Sequence, residues 1–559
     1  MKVDFESRAL GWLVLASGVV AGIIILPGIS QDPINLPKMC VIVVIGISIF
    51  GLLLSSPRKY FNSGNKIFSL LLSLFLIQIS LVIFLADSPF SEQFYGTNGR
   101  NTGFLAYLGL LFLALGANIG ASNNLMKNAT YLVAGMGFVS AAYGLLQTIG
   151  SDPIKWNNPY NSVITFLGNP NFASSFMGIC AVVTFAIGLR DDISLSKRIT
   201  LLLQVLLLVV LTLRSNSLQG TLVFLFGAVL VLLFYLKSKT RFSRRIIINS
   251  YLLLVGIAAS LAILGMLNIG PLGNYLYKLS VRQRGYYWQA ARDMMLSTPV
   301  FGIGLDSYDS WYLLKRSANA AFNTPDTQSN SAHNIFLDLG AGGGVPLFVI
   351  NLLLSAITVS AIYRLLKRTS TYNWSIAAIT SAWIAYEAQA VISINQLGIG
   401  VWGWILMGLI VGFEYKDRQP NEKDLSPQNF PKPRNKKVVS KNYIAGMALG
   451  ALIGSLLVFP VIRNDIEFRK ATSNSDAQNL INKAMAEPID LNRTLIAANL
   501  LASSNLVEPS LKLIDLVISK NPRNYDAWKM KYKFTAKGSM DSEIAKQNLR
   551  KLNPYFEGD

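Results

Sequence analysis

Lysine and arginine outnumber aspartate and glutamate 50 to 30 in 559 residues, giving a formal charge of +20, yet only 14% of the chain is charged and 52% is hydrophobic. A composition this apolar, with 29 Phe and 9 Trp, argues against a water-soluble globule and predicts an all-α polytopic membrane protein. Two cysteines and one histidine argue against a disulfide framework and a zinc site, and the basic excess lacks the aromatic interleaving of a nucleic-acid surface.

Apolar runs long enough to span a bilayer number about thirteen, near 9–28, 38–55, 66–86, 103–121, 130–149, 171–189, 199–213, 217–236, 248–268, 344–363, 374–393, 397–413 and 443–462. The first is read as a retained span rather than a signal peptide, because its run is too long and no small-residue cleavage site follows Pro27-Gly28. Cys40 and Cys180 fall inside apolar runs, where a thiol acts as a small hydrophobe. Alternate connections carry the basic residues, from Arg58 and Lys59 through Arg190, Lys197 and Lys239 to Arg364 and Arg368. The positive-inside bias makes those loops cytoplasmic, with the N-terminus inside and the C-terminal region outside. Four parts are expected: a membrane unit over 1–413 containing an enlarged extracytoplasmic loop at 269–343, a basic Pro-rich linker at 414–442, a last span at 443–463 and an outer helical domain at 464–559.

Taken in order, the first informative loop holds Gly99-Arg100 and Gly103 before the fourth span. Arg100 is either a headgroup-facing cation or a substrate ligand. The next outer loop carries Trp156 and then Gly168-Asn169-Pro170-Asn171, where Asn169 and Asn171 either cap the sixth span or hold sugar hydroxyls. Spans seven and eight are joined by Arg214-Ser215-Asn216-Ser217-Leu218-Gln219-Gly220, readable as an anion pocket or as a snorkelling arginine ending a helix.

The long loop is too extended to be a mere connection. On a helix, Arg284, Trp288 and Arg292 share one stripe, and arginine there can grip a diphosphate bidentately. A turn follows at Pro299 and Gly302-Ile303-Gly304, then His333-Asn334 and the glycine-rich run at 340–344. His333 is the only histidine in the chain, placed beside arginines just before a helix that returns to the membrane. Imidazole accepts and returns a proton near neutrality, so His333 is a candidate general base, with a hydrogen-bonded structural histidine as the alternative. Glu387, the one carboxylate well inside a span, is either functional or paired beside Gln389. After the last span, Ala497, Leu501, Leu511, Ile514, Asn521-Pro522 and Ala527-Trp528 look like tetratricopeptide helix pairs, a docking surface for a protein or glycan partner or a stabilising cap.

The ordered set of Arg284 with Trp288, Pro299, Gly302-Ile303-Gly304 and His333-Asn334, together with Gly99-Arg100, Asn169-Pro170-Asn171 and Gln389, resembles the O-antigen ligase and polymerase superfamily of bacterial membrane glycosyltransferases over about residues 90–413. The resemblance implies a GT-C membrane fold in the inner membrane that takes a polyprenyl-diphosphate-linked glycan as donor on the outer face, with no metal and no cofactor. It implies that Arg284 holds the diphosphate and that His333 activates an acceptor hydroxyl, with Trp288 and Asn334 beside them. The acceptor is a glycan, lipid or protein, so ligase, polymerase and protein oligosaccharyltransferase activities all fit. In another class, a lipid-linked glycan transporter remains open, although inverted broken helices and several midplane charges are not evident. One departure stands out: the Ser-Arg-Gly common in the family near the eighth span reads Leu218-Gln219-Gly220 here. Arg214, five residues earlier, is the expected substitute and Arg282 its rival.

Overall fold

The computed structural model describes the chain apart from residues 1–4, 61–62, 157–161, 240–243, 278, 420–441, 475 and 557–559, and apart from the side chains of residues 5, 244–245, 247, 251–252, 262 and 275. Each of the thirteen apolar runs is a helix: Phe5–Ile23, Asn35–Leu54, Lys66–Leu85, Phe104–Gly120, Asn123–Thr148, Pro170–Gly188, Leu195–Arg214, Leu218–Lys239, Arg244–Met266, Ile335–Arg368, Trp374–Ala390, Leu397–Arg418 and Asn442–Thr472. Among the described residues eleven helices are long and apolar enough to cross a membrane. The fourth and eleventh spans, Phe104–Gly120 and Trp374–Ala390, have 17 residues each and pack inside the bundle. Among the described residues there is no strand. The chain is an all-α, multi-pass membrane protein.

The twelfth span, Leu397–Arg418, is the axis: its apolar window is wholly buried. Without a hydrophobic force between helices in lipid, close packing falls to small residues. Gly408 and Gly412 do this here, since a Cβ would come within 2.2 Å of the Ala114 carbonyl oxygen and 2.1 Å of the Asn118 one. The thirteenth span uses the same device against the second, with Gly446, Gly450 and Gly454 at four-residue intervals facing Gly51, Ile47 and Val44. Part of the basic set closes helix ends inside the protein. Arg364 and Arg368 each reach the buried Glu414 at 2.8 Å, and Lys237 donates to the carbonyls of Leu366 and Thr369 at the end of the tenth span.

The enlarged loop has its own core, in which Tyr287, Ala290 and Met294 from the helix Leu279–Ser297 meet Ile303, Trp311, Tyr312 and Ala332. It is fastened to the bundle by a backbone joint. Ile303 N–H donates to the Ala341 carbonyl at 2.9 Å, Gly304 N–H to Gly342 at 3.0 Å, and Val345 N–H to Pro299 at 2.8 Å. Gln78 in the third span donates to the carbonyls of Val300 and Gly343 from below. Gly302 (φ +65°) has no room for a Cβ, which would lie 2.4 Å from the Ala341 oxygen, and Gly344 (φ +76°) is where the long helix Ile335–Arg368 kinks. The two glycine-rich motifs of the sequence are thus the two halves of one joint.

The thirteenth span does not stop at the membrane. Its helix runs on to Thr472, and Phe468 and Ala471 enter the core of the C-terminal domain, built from Ala477–Ala484, Leu491–Ser503, Val507–Lys520, Tyr525–Phe534 and Met540–Leu552 packed in sequence. The boundary expected at 463 therefore lies within a continuous helix. Residues 420–441, the basic Pro-rich part of the expected linker, lie outside the described residues.

Candidate active site

The segment before Ile335 is held by its neighbours. The Asn334 side chain accepts the Leu337 N–H at 3.1 Å and caps the tenth span. His333 sits at φ +50°, its N–H donating to Ser331 Oγ at 3.1 Å. Ala332 N–H donates to Asp338 Oδ1 at 2.7 Å. The other oxygen of Asp338 takes Arg100 Nη2 at 3.0 Å, while Arg100 Nε meets Asp306 at 3.0 Å and Nη1 donates to the Asn330 carbonyl. Asp306 also accepts from Thr97 N–H at 2.8 Å and Thr102 Oγ1 at 2.9 Å. Of the two readings of Arg100, headgroup-facing cation or substrate ligand, the first does not hold: it is 8% exposed, neutralised by two carboxylates, and locks the His333 turn to two other loops.

The imidazole stacks on Tyr287, ring centroids 5.3 Å apart and planes at 26°. One helical turn before Tyr287 lies Arg284, whose Nε donates to the Ile392 carbonyl at 3.1 Å, just past the end of the eleventh span. Among the described residues no carboxylate pairs with Arg284. Burial, then the charges of Arg284 and Arg100, push the His333 imidazole down to about 4, so at neutral pH it is an uncharged proton acceptor. Trp288, a turn beyond Arg284, has its indole N–H buried without a partner, while Arg292 bonds its neighbour Asp293 at 2.7 Å.

Asn169 caps the sixth span through the Asn171 N–H at 2.9 Å, and Asn171 Oδ1 accepts the Ser217 hydroxyl at 2.7 Å, tying that span to the seventh-to-eighth hinge. Gln219 is 5% exposed and Gln389 1%, and among the described residues neither the amide nitrogen nor the amide oxygen of either has a partner. The eighth and eleventh spans are antiparallel neighbours with Gly227 against Ala385. Moving from that contact toward the loop side reaches Gln219 after about 12 Å on one helix and Gln389 after about 6 Å on the other. Arg214 is placed differently from expectation. The chain reverses at Asn216 (φ +58°), so Gln219 turns inward while Arg214 lines an open groove with Gln147, Asp152, Lys155 and Trp156. Glu387 accepts from Ser355 at 3.4 Å in a small cavity lined by Tyr107, Asn351, Tyr386 and Trp404. Among the described residues no group of three or more His, Cys, Asp or Glu side chains is gathered to hold a metal.

Residues 203–352 match the family model described as O-antigen ligase. Over that segment, about a quarter of its length, the chain is similar to the O-antigen ligase family. No curated protein matches it. The matched segment runs from the seventh span through Arg214, Gln219, Arg284, Trp288 and His333 into the tenth span. Asp306 and Asp338, which position the His333 turn of this ligase segment, were not readable as functional residues. Their partner Arg100 lies more than 200 positions away and outside the matched segment.

Proposed function

We propose that the protein transfers a glycan en bloc from a polyprenyl-diphosphate carrier to an acceptor hydroxyl at the outer face of the bacterial inner membrane. The observation that carries this reading is the placement of an uncharged, loop-framed His333 against Tyr287, one helical turn from an arginine without a carboxylate partner. In the proposed reaction the His333 imidazole takes the proton of the acceptor hydroxyl, and that oxygen bonds to the anomeric carbon of the donor glycan. The bond from the anomeric carbon to the diphosphate oxygen breaks, and the leaving diphosphate keeps the electron pair. Arg284 faces the charge that grows on it, the arrangement in which a preoriented cation lowers a barrier most. Gln219 and Gln389, with four unpartnered amide atoms, provide neutral contacts to phosphate oxygens or to the first sugar. The loop side then faces outward, in line with the basic residues at the other end.

The test is turnover in detergent with a lipid-linked glycan, reading release of polyprenyl diphosphate. His333→Ala should lower it by about 10²- to 10⁴-fold with donor binding retained, the usual worth of a general base. Wild-type turnover in that variant would return His333 to a structural role. A strict requirement for sealed vesicles would point to a transporter instead. The same assay with candidate acceptors separates ligase from polymerase.

A further inference from the structure

A second cleft opens at the end of the bundle away from His333, among the basic loops. It is an open groove of about 810 Å³ between the first span, the short helix Pro57–Tyr60 and the connection from the fourth to the fifth span. Trp12 is its exposed apolar side chain, with Leu10, Leu15 and Leu125 buried beneath, and Arg8, Lys59 and Lys416 stand around it. Glu6 is held by Lys59 at 2.5 Å and by the Tyr60 hydroxyl at 3.1 Å. Lys416 donates to the carbonyls of Ile119 and Ala121 at 2.6 and 3.0 Å, and among the described residues neither it nor Arg8 has a carboxylate partner. Trp12 lines the same groove with 57% of its surface exposed, the placement of an indole at a bilayer boundary.

A cationic rim above an exposed indole at the end of membrane helices suits a phospholipid: phosphate above, acyl chain below. We propose that this groove binds an anionic phospholipid, its phosphate between Arg8 and Lys416 and one acyl chain along Trp12. A zwitterionic headgroup would bring its own cation to a rim already carrying two unmatched ones, so the groove discriminates by charge. Each basic residue near such a headgroup is worth about fivefold in affinity.

The experiment places the full chain in nanodiscs of phosphatidylglycerol or phosphatidylcholine with brominated acyl chains and reads the Trp12 emission, taken as the difference between the unaltered chain and Trp12→Phe. Brominated phosphatidylglycerol should quench this component more strongly. In detergent, titrated phosphatidylglycerol should bind Arg8→Gln and Lys416→Gln each about fivefold more weakly. Equal quenching by both lipids, unchanged affinity in the variants, or full competition by inorganic phosphate would overturn the proposal. If Lys416→Gln does not fold, Arg8→Gln, on an exposed side chain, decides the matter together with the quenching of the unaltered chain.

Discussion

The His333 imidazole has two positive neighbours and a partly buried seat, and each disfavours its charged form. A donor diphosphate against Arg284 would cancel one of those charges and strengthen the base when it is needed. The acid limb of kcat/KM, which reports the free enzyme, should then fall near pH 4, and the limb of kcat at a higher pH. Coincident limbs would show that the donor does not sit against Arg284. Stability follows the same group. Its folded value lies below the unfolded one, so the contribution of the neutral imidazole is complete above about pH 6.5 and is lost as pH falls toward 4. Thermal melts of His333→Asn should lack that part of the acid decline. Among the arginines, Arg284→Gln should depress turnover, whereas Arg214→Gln, on its separate groove, should leave turnover close to that of the unaltered chain.

At the scale of elements, the joint between residues 299–304 and 340–345 decides where the loop stands. Gly302→Ala places a methyl against the Ala341 carbonyl at a positive φ, which costs about 1–3 kcal/mol. The expected readout is a lower melting temperature with faster proteolysis of the loop; an unchanged melt would show that the joint yields. The two motifs were legible because glycine and proline mark special backbone. Their pairing was not, since backbone hydrogen bonds across 40 residues leave no side-chain pattern. The thirteen apolar helices were readable because apolar length is local, whereas the buried ion pairs of Arg100 were not, because its two carboxylates are distant in sequence. A second element prediction concerns Glu92, whose carboxyl is raised well above its usual range by burial and by Asp309, Asp490 and Asp306. Its charged form is therefore disfavoured in the fold, a penalty felt above the ordinary carboxylate range and relieved as pH falls. Glu92→Gln, which keeps an acceptor for the Asn521 amide, should raise thermal stability at pH 7 more than at pH 5.

At the scale of the whole molecule, the C-terminal domain is docked on the enlarged loop. Asn521 bridges Glu92 and Ser310, Arg523 pairs with Asp87 at 2.6 Å and lies 4.2 Å over the Trp311 ring, and Arg316 reaches Asn553. Asp465, on the loop-side half of the helix Asn442–Thr472, accepts from Ser30 and from the N–H groups of Gln31 and Asp32. Truncation after Arg463 should leave a membrane-inserted bundle whose loop is cut readily by protease and whose turnover falls by at least about tenfold, the scale of a mispositioned catalytic group. Full activity in the truncated chain would show that the docking is dispensable. These contacts also set a timetable. The chain leaves the ribosome from its N-terminus, so Glu92, Trp311 and His333 exist long before Asn521 and Arg523 are made. The loop can settle against its final partner only after the thirteenth helix has crossed the bilayer and the last domain has folded beside it. A nascent or prematurely ended chain therefore carries the loop without its C-terminal brace, and completion of synthesis is the step that supplies it.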